Sequence, residues 1–449
     1  MQRRGALITP QIQDILKSAN TVERIRELFA DMHTYDIFIL CENLEDDEIA
    51  ECIKSLGIPV GIELFEQFDD ERKKDIFNCF NKEWMADILE EMSPDERADF
   101  VVKLPDERVE EILPLVARAE RIDIKKLINY KEDSAGSILT TEYAYLPQDV
   151  TAKAAIEKIK LQAFDRETIY YIYVIDHDRK LLGIVSLRDI LVAPPQQTIR
   201  EFMNPNVISV NVNDDKEEVA RKFSQYDFLA MPVVDDASKL VGIVTVDDVM
   251  DVFEEEATED IYKLGAAGEY LDYMKSHPFM LARQRTVWLL ILVVVGCTSA
   301  LILERNEHAL QTAVALSFFI PLLLGAGGNA GTQSSTVVIR GLATEDIKLH
   351  DYLLVWRKEV MVGAMVGSIM AVLGALLALV IHSDPRLGLV VGSAMITSVM
   401  LAVSLGALLP MLFKKLKLDP ALMSGPFITS IVDIVSLLVY FKIAMVILN

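Results

Sequence analysis

Leu181-Leu182-Gly183-Ile184-Val185-Ser186-Leu187-Arg188-Asp189-Ile190-Leu191 returns 59 residues later as Leu240-Val241-Gly242-Ile243-Val244-Thr245-Val246-Asp247-Asp248-Val249-Met250. Each copy follows an apolar run closed by an acid, Tyr173-Val174-Ile175-Asp176 in the first and Pro232-Val233-Val234-Asp235 in the second. Runs rich in β-branched residues, broken by a polar turn, predict paired strands. Ser186 and Thr245 stand where they would cap the helices that follow. Residues 135–255 therefore read as a tandem repeat of strand, acidic turn, strand and helix.

Upstream, residues 1–130 read as short amphipathic helices punctuated by Pro and Asp. Pro94-Asp95-Glu96-Arg97 recurs as Pro105-Asp106-Glu107-Arg108, with Asp69-Asp70-Glu71-Arg72 as a weaker echo. Pro or Asp opens each helix, and acids fill the first turn, where the helix dipole favours them. Repeated short helices of this kind stack as a small superhelix. This pattern describes a scaffold and carries no chemistry of its own.

The repeat itself resembles a tandem pair of cystathionine-β-synthase (CBS) domains, a regulatory module, because both copies keep a Gly-Ile-Val-Ser/Thr-x-x-Asp core. The resemblance implies a cleft between the copies able to hold an adenine nucleotide such as ATP. Asp189 with Arg188 would meet the ribose there, and Tyr171 and Phe228 would stack on the base. A purely structural pair is the other reading, and both stay open at this point.

Directly after the repeat comes Asp247-Asp248-Val249-Met250-Asp251-Val252-Phe253-Glu254-Glu255-Glu256-Ala257-Thr258-Glu259-Asp260. At helical spacing Asp248, Asp251, Glu255 and Glu259 share one face, with Glu256 and Asp260 beside it. Like charges this close repel. A solvated face tolerates that repulsion, whereas bound divalent cations would cancel it. The helix joins the repeat to the first hydrophobic span, so the second reading makes it a cation sensor coupled to a membrane domain.

The chain changes character near residue 285. Residues 1–280 carry 32 Lys and Arg against 58 Asp and Glu, and residues 281–449 carry 12 against 9. The acidic part is long enough for two soluble domains. Its charge argues against nucleic acid or anionic lipid as its partner and favours cations or basic surfaces. Apolar stretches of spanning length then cover residues 286–303, 309–324, 360–381, 387–413 and 421–448.

Five spans place the two termini on opposite sides of a membrane. Arg283, Arg285, Arg340, Lys348, Arg357, Lys358, Lys414, Lys415 and Lys417 flank them on one side, against Arg305 and Arg386 on the other. The excess of positive charge puts the acidic domains in the cytosol and Asn449 outside, in a multi-pass protein of the cell (inner) membrane. The start, Met1 to Pro10, has no apolar core long enough for a signal peptide. Cys41, Cys52, Cys79 and Cys297 form no Cys-x-x-Cys pair, so they predict reduced thiols rather than a zinc site or a disulfide framework.

The last span holds Pro426-Phe427-Ile428-Thr429-Ser430-Ile431-Val432-Asp433-Ile434-Val435-Ser436-Leu437-Leu438, with no basic residue within a helical turn of Asp433. A carboxylate in hydrocarbon costs at least about 2.5 kcal/mol, so such residues usually face a bundle interior or a water-filled path. The second span runs into Gly325-Ala326-Gly327-Gly328-Asn329-Ala330-Gly331-Thr332-Gln333-Ser334-Ser335-Thr336. This segment is expected either to unwind beside water and offer hard oxygen ligands, or to pack helices closely. Carboxylate, carbonyl and water suit Mg²⁺, Ca²⁺ or Mn²⁺, and Mg²⁺ gives up its water reluctantly. Asp433, Asn329 and Gly328 are thus the candidate ion-path residues. With no Gly-x-x-x-x-Gly-Lys-Ser/Thr present, the membrane potential is the available engine, about 4.6 kcal/mol per 100 mV for a divalent ion.

Taken together, the chain resembles the MgtE family of magnesium transporters and channels over essentially its whole length. The motifs that carry this are Glu255-Glu256-Ala257-Thr258-Glu259-Asp260-Ile261, Gly327-Gly328-Asn329-Ala330-Gly331-Thr332-Gln333, Asp419-Pro420-Ala421 and Pro426 with Asp433. The resemblance implies a homodimer with Asp433 facing a pore on the two-fold axis, and cytosolic Mg²⁺ holding that pore shut. By motif position it implies Glu217, Asp227, Asp248, Asp251, Glu256, Glu259 and Asp260 as sensor ligands, with Asp95 and Asp419 as further candidates. Gly425 stands where some relatives carry Asn, which removes an amide from the site.

The expected architecture is multidomain. It comprises an α-helical superhelical N-terminal domain (1–132), an α/β tandem CBS pair (133–252), a connecting plug helix (253–284) and an all-α membrane domain of five transmembrane helices (285–449). The expected function is passive Mg²⁺ uptake, closed by cytosolic Mg²⁺. A transporter of broader divalent selectivity (Mn²⁺, Co²⁺, Ca²⁺), or a nucleotide-sensing membrane protein whose spans only anchor it, are the alternatives. An enzyme is not expected, since no nucleophile–base constellation is present in the sequence.

Overall fold

Helix starts fall on the residues whose chemistry supplies them. The computed structural model describes residues 10, 12–17, 20–164, 166–271, 273–274, 276–307, 314–423 and 425–448. Met1 to Thr9, the beginning of the expected second span and Asn449 lie outside the described residues. The N-terminal helices are α1 (Thr21–Phe29), α2 (Thr34–Cys41), α3 (Asp46–Leu56), α4 (Ile58–Glu66), α5 (Asp70–Asn78), α6 (Lys82–Glu91), α7 (Pro94–Lys103), α8 (Asp106–Ile112) and α9 (Arg118–Leu127). Asp69 caps α5 by accepting from the Arg72 amide at 3.2 Å, and Pro94 opens α7 with Asp95 and Glu96 in its first turn.

Several of these helices pack on the next but one, α1 on α3, α2 on α4, α3 on α5, α4 on α6, α6 on α8 and α7 on α9. That is the superhelical stack expected from the repeat. Phe100 centres its core, meeting Phe65 and Phe77 edge-on at 5.6 and 5.0 Å between ring centroids.

The tandem repeat folds as two three-stranded sheets. The first holds β1 (Tyr143–Pro147), β2 (Thr168–Ile175) and β3 (Leu181–Ser186), and the second β4 (Val210–Asn211), β5 (Ala230–Val234) and β6 (Leu240–Thr245). In each, the first pair is parallel and the second antiparallel. The 59-residue offset holds at the level of register, since Tyr173 faces Ile184 and Pro232 faces Ile243. The acidic turns are superimposable in their bonding. Asp176 accepts from the amides of Asp178 and Lys180, both at 2.9 Å, and Asp235 from those of Ala237 and Lys239, at 2.9 and 2.8 Å. Helices α10 (Ala152–Gln162), α11 (Leu187–Val192), α12 (Ile199–Phe202) and α13 (Lys216–Tyr226) complete the module.

The chain divides into two units, Met1–Phe253 and Glu254–Asn449. Helix α14 (Val246–Leu264) carries the backbone from one to the other. It stops at Leu264 and does not run into the first span, contrary to the expectation of one connecting helix over 253–284. The cause is local. Ala266 at φ 50° and Gly268 at φ 94° turn left-handed, and the Gly265 and Ala267 amides close on the Ile261 and Tyr262 carbonyls.

Five helices in the second unit are long and apolar enough to cross a membrane: α15 (Pro278–Arg305), α16 (Ala315–Ala343), α17 (Tyr352–His382), α18 (Pro385–Lys415) and α19 (Gly425–Leu448). The apolar runs 286–303, 360–381 and 387–413 sit inside α15, α17 and α18, the second run enters α16 at Ala315, and the last, 421–448, begins in the short turn Pro420–Leu422 ahead of α19. Helix α18 is the hub, packing on α16, α17 and α19, while α19 also packs on α16 and α15. The glycine-rich run of α16 is continuous α-helix. Its backbone carbonyls therefore serve the helix, and the unwound alternative is overturned. Glycine acts here by removing side chains where helices cross.

Candidate functional site

The crossing of α16, α18 and α19 shows why small residues are required. A Cβ on Gly328 would stand 2.8 Å from Thr429 Cγ2. One on Gly331 would lie within 3.1–3.3 Å of Val432, Ile428 and the Ala402 carbonyl. Hydroxyls then bridge the helices. Thr332 Oγ1 meets Thr429 Oγ1 at 3.2 Å, and Ser334 Oγ donates to the Val403 carbonyl at 3.0 Å.

Asp433 projects from α19 in the middle of this apolar region. Its Oδ1 is shielded from solvent and has no hydrogen-bond partner among the described residues, and Ser436 Oγ, one turn on, is in the same condition. A buried polar atom left unpaired costs about 1–3 kcal/mol, more when charged. Such a carboxylate contributes nothing to holding the bundle together, which fits a group kept for a hydrated cation. Gly328 is buried in the helix crossing and Asn329 is exposed on α16.

A second cluster lies where α14 ends. Lys263 Nζ pairs with Glu259 Oε1 at 2.5 Å and with Asp419 Oδ2 at 2.7 Å. Asp419 also caps the short turn Pro420–Leu422, accepting from the Ala421 amide at 2.8 Å. Burial first, then the charges of Asp419 and Glu259, push the Asp260 carboxyl up, while Lys263 holds it down. Three of the expected cation ligands, Glu259, Asp260 and Asp419, are thus brought together, around an ammonium of the chain itself.

In the first unit Asp95, Glu167, Asp247 and Asp248 converge electrostatically. Asp248 accepts from the Thr245 hydroxyl at 2.5 Å. Burial first, and then the Asp95 charge, raise its carboxyl to about 8. Glu167 is raised to about 7 by burial, then by Asp95, Asp247 and Glu142. Asp95 is raised to about 6 by burial and by Glu96. Among the described residues no three acids or other ligating side chains close on a single metal position. An all-oxygen set held apart at such spacing suits a hard cation that keeps water in its shell.

Glu217 lies in the first turn of α13, and Asp227 ends that helix at φ 53°, a conformation Asp tolerates. Asp251 is exposed on α14 and Glu256 partly so.

A cavity of about 380 Å³ opens between the two repeat copies, lined by Tyr171, Ser186, Asp189, Tyr226 and Phe228 among others. Tyr226 and Phe228 stack on each other at 5.5 Å with planes 17° apart. Asp189 belongs to a capping box with Ser186, accepting from its hydroxyl at 2.6 Å while the Asp189 amide donates back at 3.1 Å. Tyr171, Asp189 and Phe228 therefore line one cavity. Arg188 is exposed and does not line the cavity.

Known proteins match over the same regions. Residues 320–443 match the family of divalent cation transporters named MgtE, residues 32–133 its intracellular N domain, and residues 135–195 and 199–255 the CBS domain. The magnesium transporter MgtE of Thermus thermophilus is 38% identical over 447 residues, covering 98% of both chains. The chain belongs to the MgtE family. The Bacillus subtilis magnesium transporter MgtE is 33% identical over 96% of this chain and 95% of its own. Among solved structures, the soluble part of a magnesium transporter is 34% identical, with TM-score 0.53, covering 57% of this chain and all of that one. The cytosolic domain of the Mg²⁺ channel MgtE in complex with ATP is 34% identical, with TM-score 0.52, covering 54% of this chain and 99% of that one. As a member of the MgtE family with five spanning-length helices, the chain is a multi-pass membrane protein.

Sequence reasoning passed over Lys263, Tyr226, Glu167 and Ser436. Tyr226 had a visible signal, an aromatic two residues before Phe228 at a helix end. Lys263 showed only its i,i+4 spacing to Glu259, and its other partner, Asp419, is 156 residues away.

Proposed function

We propose that this protein carries Mg²⁺ passively into the cell through its membrane half, and that cytosolic Mg²⁺ closes the path by binding its acidic regulatory part. The observation that carries the reading is Asp433, an acid in mid-span whose Oδ1 is buried and unpaired. A structural carboxylate at that depth would be paired or hydrogen-bonded. A path residue waits for a cation and its water. The relatives described as magnesium transporters support Mg²⁺ over the broader divalent alternative.

In this reading two copies of the chain form a homodimer, with Asp433 of each facing a shared axis beside Gly328 and Asn329. The acidic domains (1–132 and 133–252) lie in the cytosol and the C-terminus outside, as the distribution of basic residues supports. The segment 253–284 acts as the plug of the membrane domain, 285–449. Asp95, Glu217, Asp227, Asp248, Asp251, Glu256, Glu259, Asp260 and Asp419 are the regulatory ligands, some acting through retained water. Their mutual repulsion opposes the compact form until Mg²⁺ is abundant, and a form that binds more ions is then favoured by mass action. The cavity at Tyr171, Asp189, Tyr226 and Phe228 binds an adenine nucleotide, ATP being the ligand named for a relative's cytosolic domain.

The deciding experiment is Mg²⁺ flux into liposomes carrying the full chain. Asp433→Ala is expected to abolish flux while leaving the amount of folded protein unchanged, and Asp433→Asn to keep the shape but lose most flux. Wild-type flux through folded Asp433→Ala removes the assignment.

A further inference from the structure

Of the fully buried serines of the membrane unit, Ser334 and Ser335 donate to the Val403 and Met423 carbonyls, while Ser398 on α18 and Ser436 on α19 have no hydrogen-bond partner among the described residues. Thr336, Ser368, Ser393, Thr397, Ser404 and Ser430 each donate to the carbonyl four residues earlier, at 2.5–2.9 Å. This back-bonding is the usual refuge of a hydroxyl inside a helix. Ser436 does not use it. The residue is 1% exposed, its Oγ has no hydrogen-bond partner among the described residues, and it faces Gly327. A Cβ on Gly327 would come to 3.1 Å from that oxygen. Thus the glycine leaves room at the hydroxyl, and packing does not force it into place.

Asp433 stands three residues before Ser436 on α19 and carries the other unpartnered buried oxygen of this helix. Residues so spaced have Cβ atoms about 5–6 Å apart. Rotation about one side-chain bond, among its staggered positions, can bring the Ser436 hydroxyl onto the Asp433 carboxylate. We infer that Ser436 is a positioning residue for Asp433: when a hydrated cation engages the other carboxylate oxygen, Oδ2, the Ser436 hydroxyl turns onto Oδ1 and holds the carboxylate in that orientation. The inference rests on the reading of Asp433 as an ion-path residue. It assigns Ser436 no direct contact with the ion, which its complete burial against α16 excludes.

A structural role and a positioning role predict different things. Without bound cation this buried hydroxyl has no partner and stabilises nothing, so Ser436→Ala should leave the melting temperature of the purified full chain in a chelator unchanged or raise it. If the hydroxyl orients Asp433, the same variant raises the Mg²⁺ concentration for half-maximal flux, by about threefold to tenfold for a hydrogen bond to a charged group in competition with water. Ser436→Cys, a weaker donor of similar shape, falls between. Ser368→Ala, which deletes a back-bonded hydroxyl on α17, matches wild type. Liposome flux at graded Mg²⁺ and thermal melting of each variant provide the test, with Asp433→Ala alongside. Unchanged half-saturation in Ser436→Ala, with Asp433→Ala inactive, overturns the inference and leaves the ion path standing. A lower maximal rate with unchanged half-saturation and a lower melting temperature assigns Ser436 to packing and also overturns it. Wild-type flux in Asp433→Ala overturns both.

Discussion

The two copies of the CBS repeat share one register, one acidic turn and one hydrogen bond between motif hydroxyl and motif acid, yet they present opposite surfaces. Beside Asp189 the second copy contributes Tyr226 and Phe228, and a cavity with aromatic walls results. The positions 59 residues earlier in the first copy are Glu167 and Ile169, and Glu167 feels the charges of Asp95 and Asp247. There the Asp248 carboxyl feels Asp95 and Asp247, and burial and repulsion raise it to about 8. The different residues at matching positions, together with Asp95 from α7, thus turn one scaffold into an aromatic cleft on one side and an acid cluster on the other. The lesson is that the motif acid carries no fixed role; what packs against it decides.

The largest effect should come from breaking the acid side. Asp248→Ala is expected to shift the Mg²⁺ concentration that protects the cytosolic part from protease upward by about tenfold, since affinity for hard cations follows ligand charge. Asp189→Ala should leave that midpoint alone. Replacing Asp248, Asp251, Glu255 and Glu259 together should remove most of the Mg²⁺ dependence. A quadruple variant with the wild-type midpoint and steepness would show that α14 is no sensor.

Breaking the aromatic side comes next. Phe228→Ala should weaken binding of ATP by about tenfold, the scale of one lost base–aromatic stack, and Tyr226→Ala somewhat less. Glu167→Gln, at the matching position of the other cleft, should leave ATP affinity as it was. Equilibrium dialysis of the full chain with labelled ATP measures all three. Equal losses from Glu167→Gln and Tyr226→Ala would erase the distinction between the clefts.

Much of this contrast could be read in the sequence, and the missing part has a physical cause. The 59-residue repeat, the helix starts at Asp69 and Pro94, and the five apolar runs are local patterns, and local patterns survive into structure. Asp433 was legible because an acid within an apolar run is conspicuous. The helical state of the glycine-rich run in α16 was ambiguous, because glycine both breaks soluble helices and lets membrane helices touch. Only the crossing with Thr429 and Val432 decides between them. The pairing of Lys263 with Asp419 and the repulsion between Asp95 and Asp248 join residues more than 150 positions apart. No window along the chain contains them.

A smaller effect concerns pH. Asp248 and Glu167 ionise in the unfolded chain near 3.8 and 4.5, and in the folded protein only at about 8 and 7. Well below pH 3.8 both states are neutral and the folded form carries no penalty. Between the two values only the unfolded chain ionises, so stability without divalent cations must fall as pH rises from about 4 to about 8. Asp248→Asn should flatten this decline. It should not abolish it, because Glu66, which burial raises to about 7, keeps part of the slope. Asp189→Asn should keep all of it. Melting temperatures at pH 5 and pH 8 in a chelator supply the comparison, and identical slopes in the two Asn variants would contradict it.

The smallest effect separates the two hydroxyls that serve the motif acids. Ser186→Ala removes a helix cap, at a cost of about 1 kcal/mol, and its exposed site lets water replace the lost bond, so the cost should be the same at pH 5 and pH 8. Thr245 is 6% exposed, and its hydroxyl donates to Asp248 Oδ2. That bond favours the charged carboxylate and opposes the rise caused by burial. Removing it therefore costs a hydrogen bond to a neutral acid at pH 5, where Asp248 is protonated, and the stronger bond to a carboxylate at pH 8, where Asp248 ionises. The excess should shrink again when Mg²⁺ is added, because a cation near Asp248 supplies the stabilisation that the hydroxyl no longer gives. Thermal melting of Thr245→Ala and Ser186→Ala at both pH values, with and without Mg²⁺, isolates the term. If the two variants lose equal stability under all four conditions, the Asp248 side is no more ionic in character than the Asp189 side, and the difference between the copies reduces to their aromatic residues.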